Sequence, residues 1–421
     1  MRLWLLLCAI SCLMQQKVAG QKSCASTDYY QLQLKKYPAI ASTQLQIEKL
    51  IKSKQLTDKI YGSGSDGPNL KVINIPVVVH VVFNATIQNI SDEQIRSQIE
   101  ILNNDFRRLN ADSVNTPGHF KSLASDCHFT FTLANVDPNG FATTGIIRKQ
   151  TGRSGFAMDD AIKSSGSGGD NAWDSDKYLN IWVGNLSNSI LGYSSPVGGP
   201  KETDGVVIKY TAFGTIGTVA TPYNKGRTAV HEIGHWLGLF HIWGDQVCGD
   251  DHIDDTPSQQ AASRGCPNGI VLSCDNSPTG NMYMNYMDLT DDACTNMFTH
   301  GQRMRMRTLF DLSGPRFTLL ASNGNAGNGI PPPVNIPIGA AVEQNVRISP
   351  NPAKDWILID LGTESTLSGK QILIYNQFGQ LVMTATINNE KMSINIGKLS
   401  QGIYLIKIAD RKQSYKIIKG Q

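Results

Sequence analysis

The chain has 421 residues, more than one ordinary domain and fewer than three, so two folded units with processing segments are expected. Its 38 basic residues against 35 acidic ones leave a net charge of +3, which excludes a nucleic-acid binder that works through a basic surface. A hydrophobic fraction of 40% excludes wholesale disorder, and beyond Met14 no apolar run is long enough to span a bilayer.

Met1-Arg2 precedes an apolar run from Leu3 to Met14, and Val18-Ala19-Gly20 offers small residues for cleavage before Gln21. That is the order of a secretory signal peptide over residues 1–20. Export changes how the cysteines read. Cys8 and Cys12 leave with the signal, while Cys24, Cys127, Cys248, Cys266, Cys274 and Cys294 enter an oxidising compartment. The last four cluster and suggest two disulfides, for which sequence alone allows three pairings. C-x-x-C spacing, the mark of a structural zinc or redox site, is absent from all six.

Residues 21–70 are polar and lysine-rich, with helical patterning around Leu45 to Leu56 and a cleavable Gly62-Ser-Gly-Ser-Asp-Gly67 near the end. The β-branched run from Val72 to Phe83 reads as a buried strand. Ser91 starts a helix with Gln94 in capping-box spacing, and Ile95, Ile99, Leu102 and Phe106 line one face. Phe129, Phe131 and Leu133 alternate as a strand; Leu179 to Val183 and Val206 to Tyr210 are two more. Thr228 to Leu237 reads as a helix. An α+β unit is expected over residues 71–320. A Gly/Asn- then Pro-rich linker follows at 321–343. Residues 344–421 alternate as short strands, including Trp356 to Ile359, Gln371 to Tyr375 and Ile403 to Ile408, and read as a small all-β sandwich.

The chemistry concentrates in His231-Glu-Ile-Gly-His-Trp-Leu-Gly-Leu-Phe-His241. His231 and His235 are four apart and leave one face of a helix. Glu232 is placed to take a proton from a metal-bound water. Gly238 lets the helix stop through a left-handed residue, so the chain can return with His241. Three nitrogen ligands with an open fourth position are the catalytic pattern for zinc.

This segment is the signature of the metzincin metallopeptidases, and Asn285-Tyr-Met-Asp288 resembles their methionine turn, with Met287 as the floor beneath the histidines. From about Val72 to Leu309 the chain resembles the pappalysin family in its cytophagalysin-like branch. The carrying residues include Tyr178 to Val183, Leu191-Gly-Tyr193, Gly226-Arg-Thr228, Gly244-Asp245, Asp254-Asp-Thr-Pro257, Asp291-Asp-Ala-Cys294 and Gly301-Gln-Arg-Met304. The resemblance implies a zincin-like catalytic domain, a mixed twisted sheet with an active-site helix. It also implies disulfides Cys248–Cys274 and Cys266–Cys294, and structural calcium (Ca2+) at Asp251 and Thr256 beside catalytic zinc (Zn2+). The family's propeptides can carry a cysteine that caps the zinc. Cys24 stands in that region, without the usual Arg and Gly neighbours; its rival reading is a Cys24–Cys127 disulfide. Related enzymes often place Tyr two residues after the turn methionine, and here that residue is Leu289, with Tyr283 and Tyr286 as the nearby hydroxyls. Asp292, just past the turn, suggests a preference for Arg or Lys after the scissile bond.

The tail from Val346 resembles the C-terminal sorting domain of type IX secretion, through Ile348-Ser-Pro-Asn-Pro-Ala353, Ile374 to Gly379, Leu399 to Tyr404 and Tyr415 to Lys419. Together these imply a secreted zinc endopeptidase made as a zymogen, reaching the medium or cell surface after periplasmic transit. Its partners would be protein or peptide substrates and the type IX machinery, with no nucleic acid and no membrane span. A substrate would pair with a rim strand near Gly192 to Val197. The rival class is a catalytically silent, surface-retained binding protein on the same fold.

Overall fold

The structure is a computed structural model that describes residues 23–61, 70–187, 189–311, 314–322, 347–361, 369–376, 380–389, 391–408 and 414–420. The expected signal peptide, the Gly62–Gly67 stretch and all but the start of the linker lie outside the described residues.

In chain order the first unit contains β1 (Ser23–Cys24), α1 (Ser26–Lys36), α2 (Ala39–Tyr61), β2 (Ile73–Phe83), α3 (Asp92–Phe106), β3 (Phe129–Leu133) and β4 (Ile146–Gln150). It continues with β5 (Leu179–Gly184), β6 (Ile190–Ser194), β7 (Val206–Lys209), α4 (Arg227–Trp236) and α5 (His300–Thr308). One mixed sheet runs β1-β6-β7-β5-β2-β3, with β4 also on β2. β6 is antiparallel to β7, and β1 lies parallel to β6 at the edge. β2 is buried almost throughout because both faces of the parallel sheet are covered. Alternation sorts its neighbours. Ile181, Val183, Val206 and Ile208 face Leu102 and Phe106 of α3 and Val230 and Ile233 of α4. Trp182, Tyr193 and Val207 face the other way, toward Phe156, Ile162 and Tyr29.

The Ser91 hydroxyl caps α3 by accepting the Gln94 amide at 3.2 Å. The Gln94 side chain does not close the expected box; it donates to the Phe213 carbonyl at 2.8 Å and ties α3 to the approach to α4. α2 extends well beyond the patterning expected at Leu45 to Leu56. Arg305 of α5 donates to both carboxylate oxygens of Glu48 on α2 and, at 2.7 Å, to the Gly238 carbonyl.

The second unit contains β8 (Arg347–Ser349), β9 (Trp356–Asp360), β10 (Gln371–Asn376), β11 (Leu381–Thr386), β12 (Lys391–Asn395), β13 (Gly402–Ile408) and β14 (Ser414–Lys419). These form a four-stranded sheet, β11-β10-β13-β14, and a three-stranded sheet, β12-β9-β8. Ile357, Ile359, Ile372, Ile374, Ile406 and Ile417 close the core between them, the expected sandwich.

Candidate active site

α4 carries the site, and its start is held by buried charge. The Asp292 carboxylate accepts the Lys225 and Arg227 amides at 2.9 and 3.2 Å. Arg227 is buried and pairs with Asp105 of α3 at 3.2 Å and with Asp112 at 2.6 Å. Burial pushes the Asp105 carboxyl up to about 6, against the pull of Arg227. The helix ends at Gly238, whose φ of 84° suits glycine; its amide donates to the His235 carbonyl at 2.8 Å.

His231, His235 and His241 converge. Their Nε2 atoms form a triangle with sides of 3.1, 3.2 and 3.2 Å. Each Nδ1 faces an oxygen that can only accept: Tyr286 O at 2.7 Å, Leu239 O at 2.9 Å and the Asp245 carboxylate at 2.6 Å. Each Nδ1 therefore carries the proton, and three Nε2 lone pairs point at one another. Such an arrangement needs a cation between them. Tetrahedral zinc with bonds of roughly 2.0–2.1 Å places its nitrogens about 3.3 Å apart, so the residues fit that ion. The Trp243 ring stacks on His241 at 4.2 Å.

Met287 is fully buried, and its sulfur lies where a β-carbon on Gly234 would be, at 2.5 Å. The methionine therefore does lie against the helix between the two histidines, and Gly234 is the residue that admits it. Gly192 on β6 has the same role for Glu232, whose Cγ would sit 2.8 Å from an added β-carbon.

The N-terminal segment fills the rest. Cys24 Sγ stands 3.5 Å from His235 Nε2 and 3.6 Å from the Glu232 carboxylate. The ligand atoms of Cys24, His231, His235 and His241 all lie within 4.8 Å of one another. Burial, then the Glu232 charge, pushes the Cys24 thiol well above its ordinary value. Ser26 donates to Glu232 at 2.6 Å and accepts the Ser194 amide at 2.8 Å. Thr27 donates to Asp245 at 2.8 Å. Cys127 is buried and unpaired, so the structure does not form the alternative Cys24–Cys127 bond. Cys248–Cys274 and Cys266–Cys294 are bonded.

Other expected residues fall apart from the triangle. Asp251 is buried and accepts the Thr256 hydroxyl at 2.8 and 2.9 Å; burial pushes its carboxyl up to about 7. Asp292 is completely buried as the clamp on α4. Leu289 is buried, and Tyr286 does not replace the missing hydroxyl: its ring packs on Phe298 at 4.8 Å beneath the Arg227 guanidinium. The strand expected near Gly192 to Val197 is β6, which ends earlier, at Ser194. Ser26, Gly192, Gly234 and Asp245 were missed as working residues. Only Asp245 left a local signal, since it lies four residues past His241.

The site defines a metallopeptidase. The family described as Pregnancy-associated plasma protein-A matches residues 164–311, and a secretion system C-terminal sorting domain matches residues 347–419. An extracellular metalloprotease of Pyricularia oryzae is 31% identical over 258 residues, covering 59% of this chain and 78% of its own. One from Arthroderma gypseum is 32% identical over 248 residues, covering 56% and 72%. Mature mirolysin of Tannerella forsythia, solved with a cleaved peptide, is 51% identical with a TM-score of 0.59, covering 59% of this chain and 96% of that one. A point mutant of promirolysin from Tannerella forsythia is 46% identical with a TM-score of 0.63, covering 71% and 96%. The chain belongs to the pappalysin family of metallopeptidases. It is an extracellular metalloendopeptidase with a type IX sorting domain. No helix among the described residues is long and apolar enough to cross a membrane.

Proposed function

We propose that the protein is a zinc endopeptidase held latent by its own N-terminal segment, residues 21–70. The single observation that carries this is the convergence of Cys24 with His231, His235 and His241 while Ser26 engages Glu232. The three histidines would hold zinc, which when bound supplies a Lewis acid that polarises the scissile carbonyl and acidifies a water. Glu232 then takes a proton from the attacking water and passes it to the leaving amine. Its burial beside Gly192 keeps it aimed at the β6 edge. In the latent form the Cys24 sulfur would join the three histidines in holding the ion, and the Ser26 hydroxyl holds the base. β1 meanwhile covers the β6 edge that an extended substrate needs. Cleavage within residues 62–70 would free the segment. The greater coverage by promirolysin than by mature mirolysin supports a pro-form longer than the mature enzyme.

The test is casein hydrolysis by the full chain before and after limited cleavage in that stretch. Activity should appear on cleavage, and should vanish with a zinc chelator and in Glu232→Ala. A cleaved, folded, zinc-loaded sample without activity would favour the silent binding protein and make Leu289 the reason.

Two finer assignments go with it. Calcium is proposed at Asp251 and Thr256, because a buried carboxylate met by a hydroxyl and the Ile253 amide is left short of positive charge. Thermal unfolding should shift upward with calcium, and an unmoved midpoint would refute it. Asp292 is proposed to favour Arg or Lys after the scissile bond through its negative charge. Cleavage sites with only apolar residues at that position would refute this.

A further inference from the structure

Tyr29, in the first turn of α1, takes no part in holding the zinc site, yet it is completely buried. Its ring lies 4.8 Å from the Tyr193 ring on β6. Its hydroxyl donates to Asp160 Oδ1 at 2.5 Å and accepts from Lys163 Nζ at 3.0 Å. Gln33, one turn further on, donates to Asp160 Oδ2 at 3.0 Å. Lys163 is itself enclosed: Nζ also donates to Ser195 Oγ and to the Thr203 carbonyl, each at 2.9 Å, and stands 3.2 Å from Asp160. Burial pulls its pKa down to about 8, so the ammonium depends on these partners.

The socket differs from the zinc anchor in place and in chemistry. Tyr29 joins the cluster on the sheet face away from α4, with Trp182, Tyr193, Val207 and Ile162. Tyr29 and Gln33, both from the N-terminal segment, supply the polar groups that close it. What they cover is a buried ion pair held from behind by Ser195 and Thr203. A hydroxyl is the group that completes it, because it can donate to the carboxylate and accept from the ammonium at once. A phenyl ring fills the same volume and leaves both ions short of a partner. A carboxylate occupant meets Asp160, and an ammonium meets Lys163. Tyr193 selects for a ring.

We infer that the processed enzyme keeps the vacated Tyr29 socket as a substrate subsite for a tyrosine side chain, beyond the Ser194 end of β6. The inference rests on the latent-peptidase reading, in which the segment leaves. Cys24 and Tyr29 are separated by four residues, so a peptide that replaces β1 on β6 passes the mouth of the socket.

The test uses the full chain cleaved in residues 62–70 and freed of its segment. The first arm measures equilibrium binding of a peptide of residues 23–36 carrying Cys24→Ser, so that the metal does not dominate, beside the same peptide with Tyr29→Phe. The ring without its hydroxyl should bind about ten-fold more weakly or worse. Asp160→Asn should narrow that gap; the peptide pair gives the answer even where this variant folds poorly. The second arm maps cleavage of peptides with Tyr, Phe or Ala stepped through each position around the scissile bond. One position should favour Tyr over Phe by about ten-fold in kcat/KM. Equal binding of the two segment peptides would show that the socket does not read a hydroxyl and would overturn the inference. Discrimination in binding with no Tyr preference in cleavage would make the socket an anchor only, which also overturns it. No cleavage of any peptide would sink the peptidase reading itself, whatever the binding arm gives.

Discussion

The two halves of the cleft are built differently. The metal half comes from one short stretch, His231 to His241, braced from below by Met287 and behind by Arg227 and Asp292. The occluding half is assembled from residues far apart in the chain. Cys24, Ser26 and Tyr29 meet His235, Glu232 and Asp160 across separations of 211, 206 and 131 residues. The first half is preformed and serves any state of the enzyme. The second, under the proposed latency, is complete only while the segment stays. A change in the first should therefore be felt before and after processing, and a change in the segment's own Cys24 or Ser26 only before.

The largest effect expected is at Arg227. Arg227→Ala leaves Asp105 and Asp112 without their cation, and a broken buried pair costs about 3–5 kcal/mol. Chemical denaturation should register the loss in both forms of the enzyme; a loss confined to the unprocessed form would erase the distinction between the halves. Gly234→Ala comes next. Its methyl collides with the Met287 sulfur, and overpacking of this kind costs about 1–3 kcal/mol. Metal content should fall with stability, and Met287→Ala in the same chain should recover part of both. Asp245→Asn keeps the shape but weakens the hold on His241, so zinc affinity should drop about 10–100-fold in a chelator competition. The smallest effect is Ser26→Ala. It should leave the processed enzyme untouched while the unprocessed chain becomes measurably easier to activate. Slower activation would place Ser26 outside the latency device.

This division also explains what could be read from the sequence. The convergence of His231, His235 and His241 beside Glu232 was legible because helical spacing and one glycine stop put them together locally. Strands β2, β3, β5, β7 and β9 were legible from alternation or β-branched runs. α1 was not, because its buried residues are Ser26, Tyr29 and Gln33, and a polar contact face carries no hydrophobic period. β12 buries only Ile394 fully and left too little pattern to find. The disulfide pairing came from family likeness, since spacing leaves three solutions open. The jobs of Ser26, Asp160 and Lys163 depend on which loops the sheet brings to its edge, and nothing local announces that. Gly192 and Gly234 look like ordinary glycines until Glu232 and Met287 are placed against them.

The most direct measurement of the central claim is the absorption spectrum of the cobalt-substituted full chain. A sulfur ligand gives a thiolate-to-cobalt charge-transfer band that histidine and water ligands do not. The band should be present in the uncleaved protein, absent in Cys24→Ser, and lost when the chain is cleaved in residues 62–70. A cobalt-loaded, uncleaved protein without the band would mean that Cys24 does not occupy the metal's fourth position, and would contradict latency through this cysteine.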